Sequence, residues 1–146
     1  MDRRSFLTKS ALGGTAAAAT ALAAPAYAQG NRTLTLVTTW GRGLAGVHDA
    51  AQRAADSITA MTDGALTVDL KAAGELVGAF EVFDAVTSGQ ADMYHGADYY
   101  FVSKHPAYGF YASPPFGMTA QELNNWYYHG DGMALHDELG QIFGLK

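Results

Sequence analysis

The chain has 146 residues, a net charge of −5 and no cysteine. An acidic chain whose few Lys and Arg are scattered lacks the clustered cations that nucleic acid or an anionic membrane surface requires, so neither is expected as a partner. Without cysteine there is no disulfide staple, and an apolar core must hold the fold alone.

The first 28 residues read as an export signal. Met1 to Lys9 is basic, with paired Arg3 and Arg4 ahead of Phe6-Leu7. An Ala-rich apolar run follows from Ala11 to Ala24, and Ala26-Tyr27-Ala28 is a small-x-small cleavage site. The Arg-Arg-x-Phe-Leu core points to the twin-arginine route, and so to the periplasm. A membrane anchor is the alternative, but the run is short of the ~20 residues of a span and ends in a cleavage signature. Cleavage removes Arg3, Arg4 and Lys9 together with Asp2, so residues 29–146 carry −7. They are numerous enough to form one domain.

Asn31 to Thr39 reads as a first strand, with Leu34 and Leu36 alternating with threonines. Val47 to Met61 is helical, and Val47, Ala51, Ala54, Ile58 and Met61 mark its expected inner face. Thr62-Asp63-Gly64 turns the chain into a second strand, Ala65 to Lys71, where Leu66, Val68 and Leu70 alternate strictly. Gly74-Glu75-Leu76 is a loop. A second helix is expected over Ala79 to Ser88, with Phe80, Phe83 and Val86 inward and Gly89 at its end. Ala91 to His95 is a third strand. Strand and helix alternate as in a parallel sheet flanked by helices, which makes the fold class α/β.

The composition then shifts: Tyr94 to Tyr128 holds eleven of the seventeen aromatic residues. Lys104-His105-Pro106 and Ser113-Pro114-Pro115-Phe116-Gly117 punctuate this stretch into loops and short elements. Thr119-Ala120-Gln121-Glu122 is a capping box and opens a third helix that runs to about Tyr128. Gly130-Asp131-Gly132 interrupts it. Met133 to Phe143 is helical again, with Leu135, Leu139 and Ile142 on one face. A helix exit with no strand after it reads as a truncated product.

Catalysis needs a nucleophile, a base and an oxyanion site within reach of one another. There is no cysteine and no G-x-S-x-G elbow. His129, His136, Asp131 and Asp137 match no metal-ligand spacing, so solvated or hydrogen-bonded helix residues are the better reading. A binding reading fares better, because small-ligand sites combine aromatic walls with a few placed polar groups. Three strand ends should converge on one sheet edge, bringing Thr38-Thr39-Trp40, Gly74-Glu75-Leu76 and His95-Gly96-Ala97-Asp98-Tyr99-Tyr100 together. Core packing is the competing reading for each aromatic, most of all for Tyr108, Phe110, Tyr111, Tyr127 and Tyr128. Glu75 is expected to cap its loop rather than to meet a ligand, since it would repel a carboxylate.

Several pieces occur in order: the Arg-Arg leader, Leu34-Thr35-Leu36, Thr62-Asp63-Gly64, Ala73-Gly74-Glu75-Leu76-Val77 and Asp84-Ala85-Val86-Thr87-Ser88-Gly89. Tyr99-Tyr100-Phe101, Pro115-Phe116-Gly117-Met118 and Trp126-Tyr127-Tyr128-His129-Gly130 complete the set. No single piece is specific. Together they cover nearly all of residues 29–146, and the chain resembles the extracytoplasmic receptors of TRAP transporters (the DctP type), in the branch that takes 2-oxo acids, mannitol and chloroaromatic acids.

The resemblance implies a two-lobed periplasmic receptor that closes on a small organic acid and delivers it to the membrane subunits of a TRAP transporter. It allows a homodimer. Residues 29–146 would be the N-terminal lobe, one periplasmic-binding-protein-like α/β unit with its second lobe missing. In that branch an Arg of the second lobe holds the carboxylate and a sodium or calcium ion can assist; the segment ending at Lys146 assigns neither, so no cofactor is expected within it. Tyr99 and Tyr100 carry over as ligand-binding by motif, and Trp40, His95 and Phe116 follow from loop position. The alternatives are a receptor for a polyol or aromatic acid, a non-binding truncated product, and an exported α/β enzyme.

Overall fold

The computed structural model describes residues 30–146; the expected export signal lies outside the described residues. Three strands form one parallel sheet in the order β2-β1-β3. They are β1 (Arg32–Thr38), β2 (Leu66–Lys71) and β3 (Met93–His95). Leu36 of β1 is paired with Leu70 of β2 and with Met93 of β3. The expected third strand is therefore shorter than the sequence pattern. Ala91 precedes it as a buried turn residue, its N–H donating to the Ala85 carbonyl.

Helix α1 (Val47–Met61) connects β1 to β2, and α2 (Val82–Thr87) connects β2 to β3. Successive strand residues face opposite sides of a sheet, and the two sides here hold separate cores. Leu36, Val68 and Leu70 pack with Ala51 and Ala55 of α1. Val37, one residue on, packs with Val82, Phe83 and Ala85 of α2. The two crossovers thus lie on opposite faces, and the strand order reverses at β1. Gly89, at φ +78°, takes the left-handed position just past α2 that a glycine reaches without steric cost.

Two 3₁₀ segments follow β3, Asp98–Phe101 and Pro106–Tyr111, and then α3 (Ala120–His129) and α4 (Gly132–Ile142). They absorb most of the aromatic-rich stretch. Phe83 is the hub of this second core, with ring centroids of Phe101, Phe143, Tyr108 and Tyr94 at 5.0, 5.3, 5.7 and 5.9 Å. The capping box at α3 is formed on both sides: Thr119 accepts from the Glu122 N–H, and Glu122 accepts from the Thr119 N–H at 2.8 Å.

Three expected inner faces are corrected. In α1 the buried stripe is His48, Ala51 and Ala55, with Ile58 half-buried, while Ala54 is exposed and Met61 is 78% exposed. Ala54 and Ala55 are indistinguishable to a periodicity argument, and the sheet selects the second. In α2 the helix starts only at Val82, so Phe80 falls in the preceding turn, out of helical register and exposed. In α4 only Leu139 of the expected face is buried; Leu135 and Ile142 are exposed, because His136 and Gly140 occupy the inner side. Among the described residues no helix is long and apolar enough to cross a membrane.

Candidate functional site

In an open parallel sheet every strand points the same way, so all the carboxyl ends share one edge. Ligands bind outside that edge where the strand order reverses. Here the reversal lies between β1 and β3. Trp40 follows β1 and His95 ends β3, and their rings meet at 4.7 Å between centroids, tilted by 58°. Backbone bonds fix this meeting: Thr39 N–H donates to the His95 carbonyl at 3.0 Å, and Ala73 N–H donates to the Trp40 carbonyl at 3.1 Å. The Thr38 hydroxyl lies 3.3 Å from His95 Nδ1. Burial disfavours the charged imidazole and lowers the His95 pKa below its ordinary value. His95 therefore presents a neutral ring at physiological pH.

Tyr99 and Tyr100, on the first 3₁₀ segment, form a second aromatic pair at 4.5 Å, with the Tyr99 hydroxyl donating to the Tyr100 hydroxyl at 3.3 Å. Phe80 joins them, edge-on to Tyr100 at 5.1 Å. The sequence reading assigned Phe80 to the core; the signal that could have moved it is its place directly after Gly78-Ala79, ahead of the first helical turn. Gly96 connects the two groups. A Cβ there would stand 2.8 Å from Thr39 Oγ1 and 3.5 Å from the Phe101 ring, so β1 and the 3₁₀ segment close up on a bare backbone.

Phe116 is placed elsewhere. It lines an apolar groove of about 540 Å³ with Phe110, Tyr111, Met118, Trp126 and Leu135. Trp40, His95, Tyr99 and Tyr100 do not line that groove. A larger cleft of about 660 Å³ runs beside β3. His95 and Gly96 border it, together with Asp98, Tyr108, His136 and Asp137. Two of its polar groups engage each other: His136 Nε2 pairs with Asp98 Oδ2 at 3.3 Å, and that bond raises the His136 pKa. His136 thus belongs to a cross-element pair, and not to a cluster with His129.

Glu75 caps its own loop, as expected. Its Oε2 accepts from the Ala72 N–H at 3.0 Å, and the Arg42 guanidinium forks onto the same carboxylate. The Arg42 bond holds the Glu75 carboxyl below the usual carboxylate range. Sequence reasoning found no role for Arg42, because a partner 33 residues away leaves no local signal. Among the described residues no three His, Cys, Asp or Glu side chains are arranged to hold a metal ion.

Residues 38–146 match the family described as bacterial extracellular solute-binding protein, family 7. A monocarboxylate 2-oxoacid-binding periplasmic protein of Nostoc sp. is 36% identical over 110 residues, which is 75% of this chain and 30% of that protein. Two solved structures superpose with a TM-score of 0.76, and each covers 78% of this chain against 35% of its own. One is a TRAP periplasmic solute-binding protein from Pseudoalteromonas atlantica with bound sodium and pyruvate, 37% identical. The other, from Colwellia psychrerythraea, has bound calcium and pyruvate and is 33% identical. The chain thus spans about a third of the length of the relatives it matches. It belongs to family 7 of the bacterial extracellular solute-binding proteins.

Proposed function

We propose that residues 29–146 are the N-terminal lobe of a periplasmic receptor that captures a small 2-oxo acid, such as pyruvate, for the membrane subunits of a TRAP transporter. Residues 1–28 are its export signal, read by the twin-arginine route. The protein works by binding and closure, and not as an enzyme. The observation that carries this reading is the Trp40–His95 contact at the β1/β3 reversal of the sheet, the position where such sheets take ligands.

Trp40, His95, Tyr99 and Tyr100 form the wall that this lobe contributes. The tyrosine hydroxyls can donate to a carboxylate, and the aromatic faces exclude water from a ligand of a few heavy atoms. A second lobe supplies the cationic group for the carboxylate and the ligands for a sodium or calcium ion. Phe116 stays with its own groove and is not assigned to this wall.

The test is a thermal-shift panel on the full-length receptor, with pyruvate, longer 2-oxo acids, aromatic acids and polyols. A rise in midpoint for 2-oxo acids alone is expected. A rise for polyols alone would remove the organic-acid reading.

A further inference from the structure

Arg42 lies two residues past Trp40 in the loop leaving β1, and Glu75 lies in the loop leaving β2. The Arg42 Nε donates to Glu75 Oε1 at 2.8 Å, and Nη2 donates to Oε1 at 2.6 Å and to Oε2 at 2.8 Å. With the Ala72 N–H also donating to Oε2, one carboxylate ties together both loops and the end of β2. A planar guanidinium makes this fork, and a lysine ammonium cannot.

The pair is partly exposed, so its worth to global stability is small. Its position gives it a different use. Gly41, Gly43 and Gly46 leave the first loop conformationally free, and every residue from Gly41 to Gly46 is exposed. The second loop runs on to Phe80, whose ring rests against Tyr100. The first loop therefore starts beside Trp40 of the proposed wall, and the second ends on a ring that packs against Tyr100 of that wall. Fixing them before a ligand arrives lowers the ordering cost of binding.

Resting on the receptor reading above, we propose that Arg42 and Glu75 are positioning residues. They hold the two loops at the carboxyl edge of the sheet in a binding-ready arrangement without touching the ligand. Arg42 is taken up by Glu75, and the ligand carboxylate finds its cation elsewhere.

The test uses the full-length receptor with pyruvate as the probe, titrated calorimetrically against wild type, Glu75→Gln, Arg42→Lys and the swap Arg42→Glu/Glu75→Arg. Each single variant should bind pyruvate about three- to tenfold more weakly with an almost unchanged melting midpoint. The swap should recover part of the loss, since the cross-loop pair returns although the Ala72 contact does not. Amide exchange at residues 41–46, measured without ligand, should speed up in the single variants and slow again in the swap. Affinities within roughly twofold of wild type, or a swap no better than the singles, would overturn the proposal. If wild type binds no 2-oxo acid, the receptor reading fails with its consequence for affinity. The exchange data still separate the two: unchanged exchange at 41–46 refutes the clamp itself, and accelerated exchange upholds it.

Discussion

His136 Nε2 of α4 stands 3.3 Å from Asp98 Oδ2 at the start of the first 3₁₀ segment, and this pair fastens the last helix to the strand end that carries His95. The hydrogen bond to Asp98 raises the His136 pKa and outweighs burial, which lowers it; Asp137 adds to the rise. Tyr108 and Tyr111 pack edge-on against the imidazole at 6.4 and 4.9 Å. A histidine with a raised folded pKa gives stability that is complete below its unfolded pKa of about 6.5 and fades as pH rises through the folded value. Both partners are partly exposed, and solvent screening limits the effect to roughly 0.5–1 kcal/mol. The expected outcome is a urea midpoint that falls more in His136→Gln at pH 5.5 than at pH 9. An equal loss at both pH values would show that the pair is not charged.

Phe83 and Phe80 lie three residues apart and should respond in opposite ways. Phe83 is 1% exposed and meets four aromatic rings, so Phe83→Ala leaves a cavity between β1 and α4 and should cost about 3–5 kcal/mol. Phe80 is 64% exposed, and Phe80→Ala should stay within about 0.5 kcal/mol. Denaturant titration of the two variants decides it, and comparable losses would return Phe80 to the core.

That contrast also shows what the sequence could and could not convey. The strand alternation of Leu66, Val68 and Leu70, the boundaries of α1 and the capping box at Thr119 rest on neighbours in the chain, so they were legible there. The exchange of Ala54 for Ala55 and of Leu135 for His136 turns on which surface a helix meets, and one face of α4 is chosen by Asp98, 38 residues earlier. The site divides in the same way. Convergence of Trp40 and His95 follows from parallel strands sharing an edge, so loop position sufficed. Phe80 against Tyr100 and Arg42 on Glu75 are long-range contacts with no periodic trace.

Thr39 and Gly96 should show non-additive behaviour. A Cβ at Gly96 would come within 2.8 Å of Thr39 Oγ1, so Gly96→Ala should destabilise by about 1–3 kcal/mol. Thr39 Oγ1 is buried and has no hydrogen-bond partner among the described residues, so Thr39→Ala gives up no internal bond. In the Thr39→Ala background the Gly96→Ala cost should shrink by more than half. A double-mutant cycle on urea midpoints measures this, and simple additivity would place the crowding elsewhere.

Phe116 occupies an awkward backbone position. Gly117 N–H donates to the Pro114 carbonyl at 2.9 Å, closing a turn with Pro115 second and Phe116 third, at φ +61°. A proline suits the second place of such a turn, but a positive φ in the third place suits Gly or Asn. Since the Phe116 side chain is fully exposed, Phe116→Gly forfeits no packing and should stabilise by about 1 kcal/mol. A higher urea midpoint with unchanged pyruvate affinity would leave Phe116 outside the ligand wall. A loss of affinity would place it there.

The Trp40–His95 contact makes the last prediction, and it can be read without any ligand. Burial alone lowers the His95 pKa, and the Trp40 ring at 4.7 Å is part of that burial. A depressed histidine pKa contributes stability above the unfolded pKa of about 6.5, which is lost as pH falls through the folded value. His95 should thus titrate below that reference and His136 above it, a separation visible in the imidazole proton resonances. Trp40→Ala opens the His95 ring to water and should move its midpoint back toward about 6.5. The His136 midpoint, set by Asp98, should stay where it was. If the His95 midpoint does not move, the indole does not shield the imidazole, and the aromatic wall proposed at the sheet edge loses its central contact.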